Sequence, residues 1–133
     1  MVDAVAKYAT GSITTTLGVP SVLSEDTSGI AKAVAMAAAA DTVVLAVGSD
    51  LSWSAEGHDA ANISFTDAQS SLIAQCAAAA KKPIVVVILT ATPLDISALL
   101  ANPKVGAILH TGQPSVTVLG IAELLYGKVG GND

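Results

Sequence analysis

Arginine is absent from the 133-residue chain, and six lysines face eleven acidic residues, for a net charge of −5. Without arginine there is no planar fork to grip a phosphate, and the lysines are scattered rather than gathered into a stripe. Neither nucleic acid nor an anionic membrane surface is therefore expected as a partner. Charged residues make up only 13% of the chain, about half of the ~25% usual in soluble domains. Aromatic residues number four: Tyr8, Trp53, Phe65 and Tyr126. With Cys76 as the single cysteine, no intrachain disulfide can form, and its setting in Ala-Gln-Cys-Ala-Ala reads as a small buried helix residue. The longest run of large apolar residues, Ile84–Leu89, falls far short of the ~20 residues of a membrane span. The first residues, Met-Val-Asp-Ala-Val-Ala-Lys-Tyr, lack the basic and apolar regions of a signal peptide. A secreted origin would imply a removed leader or an excised domain. Dinucleotide, Walker and nucleophile-elbow patterns are also missing, so no cofactor is expected.

What the chain has is alanine, 25 of the 133 residues, within a hydrophobic content of 52%. Small side chains let helices lie close to a sheet but bury little area each, so such a fold depends on close packing. The length fits one domain spanning residues 1–133.

Apolar strand-like runs alternate with alanine-rich helical stretches along the chain. Asp3–Ala9 reads as a short helix and the β-branched run Ser12–Leu17 as a strand, followed by a loop over Gly18–Ser28. Ile30, Val34 and Ala37 recur at helical spacing up to Ala40, and Val43–Val47 is a short apolar run typical of a strand buried on both faces. Periodicity then vanishes from Gly48 to Phe65, the longest loop. Thr66 and Gln69 make a capping box for a helix running to Ala80–Lys81. Ile84–Leu89 is the clearest strand. Pro93–Leu100 holds a short helix capped by Asp95 or Ser97, Val105–Leu109 a further strand, and Val118–Tyr126 a last helix stopped by Gly127. This order predicts an α/β fold: a three-layer sandwich, its mostly parallel sheet joined by right-handed crossovers and covered by helices on both faces.

In such sheets ligands bind beyond the carboxyl ends of the strands. Three segments are expected there: Gly48–Asp59, Thr90–Asp95 and His110–Pro114. The first concentrates three of the eleven acids, one of the two histidines and the only tryptophan. Trp53 beside carboxylates is the composition of a sugar site, the ring packing on the sugar and the acids bonding its hydroxyls. On this reading Asp50, Trp53, His58, Asp59 and His110 are the candidate substrate-binding residues. Glu56 is a candidate general acid, given burial to raise its pKa. The plainer reading of the same loop is a solvated acidic turn with Trp53 capping the core. A metal site from Asp50, His58, Asp59 and His110 has no close-set ligand motif behind it.

Six segments in register resemble the C-terminal domain of family 3 glycoside hydrolases, the β-glucosidases and β-xylosidases. They are Ala40–Gly48, Ala55-Glu56-Gly57-His58-Asp59, Lys82–Val87, Pro93–Ser97, Asn102–Leu109 and Leu124–Val129. The resemblance implies an α/β sandwich beside a barrel domain that carries the nucleophilic aspartate, with Glu56 matching the acid/base glutamate of a sandwich loop. A retaining mechanism needs two carboxyl groups about 5–5.5 Å apart, so the chain is expected to contribute the acid/base loop and part of the sugar site without acting alone. The alternatives are a non-catalytic carbohydrate-binding or structural module on the same fold, and small-molecule catalysis by Asp50 and Glu56 of this chain alone. A β-linked sugar, and a barrel domain or a second copy covering the exposed surface, are the implied partners. An extracellular or periplasmic setting is implied too. The sequence departs from the family pattern at Ala60, where an arginine is usual, in Gly112–Thr117, and at Gly130–Asp133, where the pattern continues into a further strand. Asn62-Ile63-Ser64 is a glycosylation sequon in the polar loop.

Overall fold

Three parallel strands form the sheet: β1 (Val44–Gly48), β2 (Ile84–Leu89) and β3 (Val105–His110), in the spatial order β1-β2-β3. The computed structural model describes residues 1–113 and 118–129. Pro114, the expected end of the third strand-end loop, lies outside them, as do the departures at Pro114–Thr117 and Gly130–Asp133. The described residues group into two units, Thr16–Gln113 and the two terminal stretches, Met1–Thr15 with residues 118–129.

Within Thr16–Gln113, β2 is central and its six residues are those the apolar run marks out. Ile84, Val86 and Ile88 point to one face and Val87 to the other, and all four are fully buried, while Val85 and Leu89 on the Val87 face are partly exposed. Gly48 pairs with Leu89 at the β1–β2 end of the ladder. The β2–β3 register slips once, between Ile84 and Val85, the sign of a bulge.

The helices of this unit are α2 (Ile30–Ala39), α3 (Asp67–Ala79) and α4 (Ser97–Ala101). Ile73 and Ala77 of α3 and Leu99 of α4 pack with Val47, Ile84, Val86 and Ile88. Ile30, Ala33 and Ala37 of α2 meet Leu72 and Cys76 of α3 in a second cluster. Alanines at that contact allow the two helices to approach each other closely. Lys81 Nζ donates to Ala39 O (2.8 Å) and Lys104 Nζ to Ala80 O (3.1 Å), placing cations at the carboxyl ends of α2 and α3.

Two expectations are corrected. Ser12–Leu17 forms no strand: residues 11–15 are exposed and no ladder reaches them. β-branched content favours a pleated, half-buried surface and cannot create one without a partner. The short helix within Pro93–Leu100 begins at Ser97 with Ile96 at its N-cap position, so neither Asp95 nor Ser97 is the cap, and no side chain caps it. Asp95 instead accepts from Ser97 N (2.9 Å) in a tight turn before the helix. Hydrogen bonds from the Ser97 side chain and backbone hold its carboxyl below the usual value.

The terminal unit contains α1 (Val2–Ala6) and α5 (Leu119–Leu125). Tyr8 OH donates to Glu123 Oε1 (3.0 Å) and its ring lies 6.0 Å from that of Tyr126. α5 ends as Gly127 predicts: with φ +61°, its N–H reaches Leu124 O (3.1 Å) while Lys128 N–H reaches Glu123 O (2.8 Å). That pair of bonds is a Schellman motif.

Candidate functional site

The long loop leaves β1 at Gly48, whose φ of +145° is outside the range that side chains tolerate. A Cβ there would press on the carbonyl oxygen of Leu89 and lie 2.7 Å from its carbonyl carbon. Glycine thus lets the first two strands end in close backbone contact.

Gln69, in the first turn of α3, locks that end in place. Thr66 caps the helix, its hydroxyl accepting from Gln69 N (3.2 Å). The Gln69 side chain does not return the bond as a capping box would. Its Oε1 accepts from Gly48 N (3.0 Å), and its Nε2 donates to Gly48 O (3.0 Å) and Val22 O (2.9 Å). A buried amide satisfied three times over ties the helix, the strand end and the 18–28 loop together. Glu25 adds a second tie, Oε2 accepting from Ala68 N (2.9 Å) at the positive end of α3.

The three strand-end segments meet in a knot of hydroxyls. Ser49 Oγ bonds Thr90 Oγ1 and, at 3.0 Å, Thr92 Oγ1; Thr90 Oγ1 also accepts from Thr92 N (3.1 Å). Gln113 Nε2 donates to Ser49 O (2.8 Å), and Thr90 N to Gly112 O (3.2 Å). Ser49 and Thr90 are buried. These polar groups are satisfied among themselves, which makes the carboxyl edge of the sheet a rigid base for the loop.

Above that base, Asp50 accepts from Ser52 N (2.9 Å) and Ser52 Oγ, so its carboxylate is turned onto its own loop. Trp53 is only 7% exposed, and its Nε1 donates to Asn62 O (3.4 Å). Ala55 and His58 exchange both backbone bonds at 2.9 Å, closing a hairpin with Glu56 and Gly57 at its tip. Gly57 takes φ +76° there. Glu56 is exposed, and its carboxylate has no partner among the described residues.

A cavity of about 470 Å³ lies between this loop and the 18–28 loop. Trp53, His58 and Asp59 line it, together with Glu25, Asn62, Phe65 and Asp67. Asp50, Glu56 and His110 are outside its lining, His110 standing exposed at the end of β3. Three of the six residues singled out in the sequence are thus brought together and three are not. Among the described residues no three of His, Cys, Asp and Glu converge in a manner that could hold a metal ion. Nor is any described helix long and apolar enough to cross a membrane. Glu25 and Gln69 were missed by sequence reasoning: the capping-box position flagged Gln69 as a helix residue, and nothing local to Glu25 announces its reach to α3.

The family described as Glycosyl hydrolase family 3 C-terminal domain matches residues 1–131. Probable beta-D-xylosidase 7 of Arabidopsis thaliana is 39% identical over 101 residues, covering 75% of this chain and 13% of that protein. Among solved structures, a family 3 exo-beta-xylosidase (XlnD) in complex with a xylobiose aziridine activity-based probe superposes with a TM-score of 0.76 at 31% identity, over 80% of this chain and 14% of that one. The beta-glucosidase of Kluyveromyces marxianus in complex with glucose gives a TM-score of 0.69 at 27% identity, covering 80% and 12%. The chain spans 11–14% of the length of the curated relatives it matches.

Proposed function

The chain belongs to the glycosyl hydrolase family 3 C-terminal domains, and from that premise we propose that it supplies the acid/base loop and part of the sugar site of a retaining β-glycosidase acting on β-linked xylosyl or glucosyl groups. Residues 1–133 are read as one sandwich domain, supported by the family match over 1–131. The observation that carries the proposal is the cavity walled by Trp53, His58 and Asp59 on a loop whose root is held by Gln69 and the Ser49–Thr90–Thr92 knot. Rigid support of this kind is what a binding constellation requires.

In the proposed mechanism Glu56 protonates the departing glycosidic oxygen, then takes a proton from the water that hydrolyses the glycosyl intermediate. The nucleophilic carboxylate comes from a barrel domain. A general acid at neutral pH needs a carboxyl whose pKa is raised by burial, and Glu56 is exposed at a hairpin tip. Docking against a second domain would bury it and bring a carboxylate near, so the isolated chain is inactive on this reading. Asp59 and His58 bond sugar hydroxyls against the Trp53 wall, and Asp50 and His110 contribute at the edge. Ala60 in place of the usual arginine favours the second reading, a sugar-binding module without turnover.

The test joins the chain to the barrel domain of a family 3 xylosidase and follows hydrolysis of an aryl β-xyloside. The chain alone is expected to give background rates. The joined protein is expected to turn over and to lose about 100-fold or more with Glu56→Ala. Turnover indifferent to Glu56→Ala, or by the chain alone, overturns the acid/base assignment. Sugar binding without turnover in the joined protein favours the binding module.

A further inference from the structure

The loop carries a second chemistry on the same side as the cavity. Asn62-Ile63-Ser64 is the chain's only Asn-x-Ser/Thr triplet. All three residues are exposed, Ile63 at 51%. Asn62 Oδ1 accepts from Ser64 N (3.0 Å), a bond that spans the triplet and leaves Nδ2 and the Ser64 hydroxyl without partners among the described residues. The backbone of the triplet itself is pinned: Trp53 Nε1 donates to Asn62 O (3.4 Å) and Asp95 N to Ile63 O (2.7 Å). The segment therefore keeps its shape whether or not Nδ2 is substituted.

We propose that Asn62 is an N-glycosylation acceptor when the chain passes through a eukaryotic secretory pathway. The amide Nδ2 attacks the anomeric carbon of a lipid-linked oligosaccharide pyrophosphate. A carbon–nitrogen bond forms, the carbon–oxygen bond to the pyrophosphate breaks, and the lipid pyrophosphate leaves with the electron pair. One Nδ2 proton passes to a base of the transferase. No oxidation or reduction is involved, and the Oδ1–Ser64 bond survives because only the nitrogen is altered. The folded chain tolerates the product because the acceptor is exposed and no buried bond is displaced. Since Asn62 also lines the cavity, the attached sugar stands at its rim.

The full chain, produced behind a cleavable secretion leader in yeast, is measured by intact mass before and after treatment with peptide:N-glycosidase. One glycan is expected, removed by the enzyme to leave aspartate at position 62. Asn62→Gln and Ser64→Ala should each abolish the added mass with far-UV circular dichroism unchanged; Ser64→Ala keeps the backbone N–H that Asn62 engages. Secreted chain at its unmodified mass overturns the proposal, as does added mass that survives Ser64→Ala.

Discussion

Gly48→Ala probes the root of the loop most sharply, because two independent effects combine there. The first is conformational: a φ of +145° costs a side-chain-bearing residue about 1–3 kcal/mol. The second is steric. The new Cβ would meet Leu89 backbone atoms, its carbonyl oxygen and the carbon at 2.7 Å, and these belong to the end of the central strand. They cannot rotate away as a side chain would, so β1 must shift. That shift breaks the two bonds from Gln69 to Gly48, each worth about 1 kcal/mol. The sum is about 3–5 kcal/mol, a large part of the 5–15 kcal/mol typical of a whole domain. Gly57→Ala is the control: its φ is +76° but nothing lies within 4 Å of the added carbon. Only backbone strain remains, about 1–2 kcal/mol. Urea unfolding followed by Trp53 fluorescence and far-UV circular dichroism measures both variants. Unfolding free energies for Gly48→Ala and Gly57→Ala within about 1 kcal/mol of each other would refute the idea that the loop root is a close backbone contact.

Tyr8 is expected to titrate above its ordinary value of 10.0, chiefly because its hydroxyl donates to Glu123. The neutral form is the one favoured in the fold, so its contribution is complete below the ordinary value and is lost as pH rises through the raised one. Glu123→Ala should bring the tyrosinate absorbance transition down, and an unchanged titration refutes the contact. Cys76 is fully buried and burial pushes its thiol pKa up, so a thiol reagent should label it only after unfolding; rapid labelling of native protein would contradict the packing of α2 on α3. Leu17, Leu51 and Leu100 are each more than 70% exposed, and among the described residues β1 and β3 are the edge strands of the sheet. The isolated chain is therefore expected to self-associate or to dock on a partner. Sedimentation velocity across a concentration series that shows monomer throughout sinks that expectation.

The parts of the fold legible in the sequence are those fixed by local chemistry. β2 is a continuous apolar run, and Thr66 stands where a cap must stand, so both lie where composition puts them. Ser12–Leu17 has the same local signal as a strand and forms none, because pairing is a property of neighbours and not of the segment. The site divides in the same way. Trp53, His58 and Asp59 lie close in the chain and share one cavity. His110 comes from a different strand and stands outside the cavity lining, a separation no spacing rule reveals. Gln69 bonds Gly48 across 21 positions and Val22 across 47. A capping-box pattern predicts a bond back to the helix start, and only the folded chain shows the amide taken by two other segments. Glu56 matches a family motif, and its exposure became visible only once the Ala55–His58 hairpin was in place.

The claim that the loop after β1 forms a sugar site is tested most directly by titrating xylobiose into the full chain while recording Trp53 emission. Trp53 is the only tryptophan and lines the cavity, so the signal reports on that site. A saturable shift is expected, weakened roughly tenfold by Asp59→Ala as a charge-assisted hydrogen bond is lost. A flat titration into high millimolar sugar, or a shift that Asp59→Ala leaves unchanged, would contradict it.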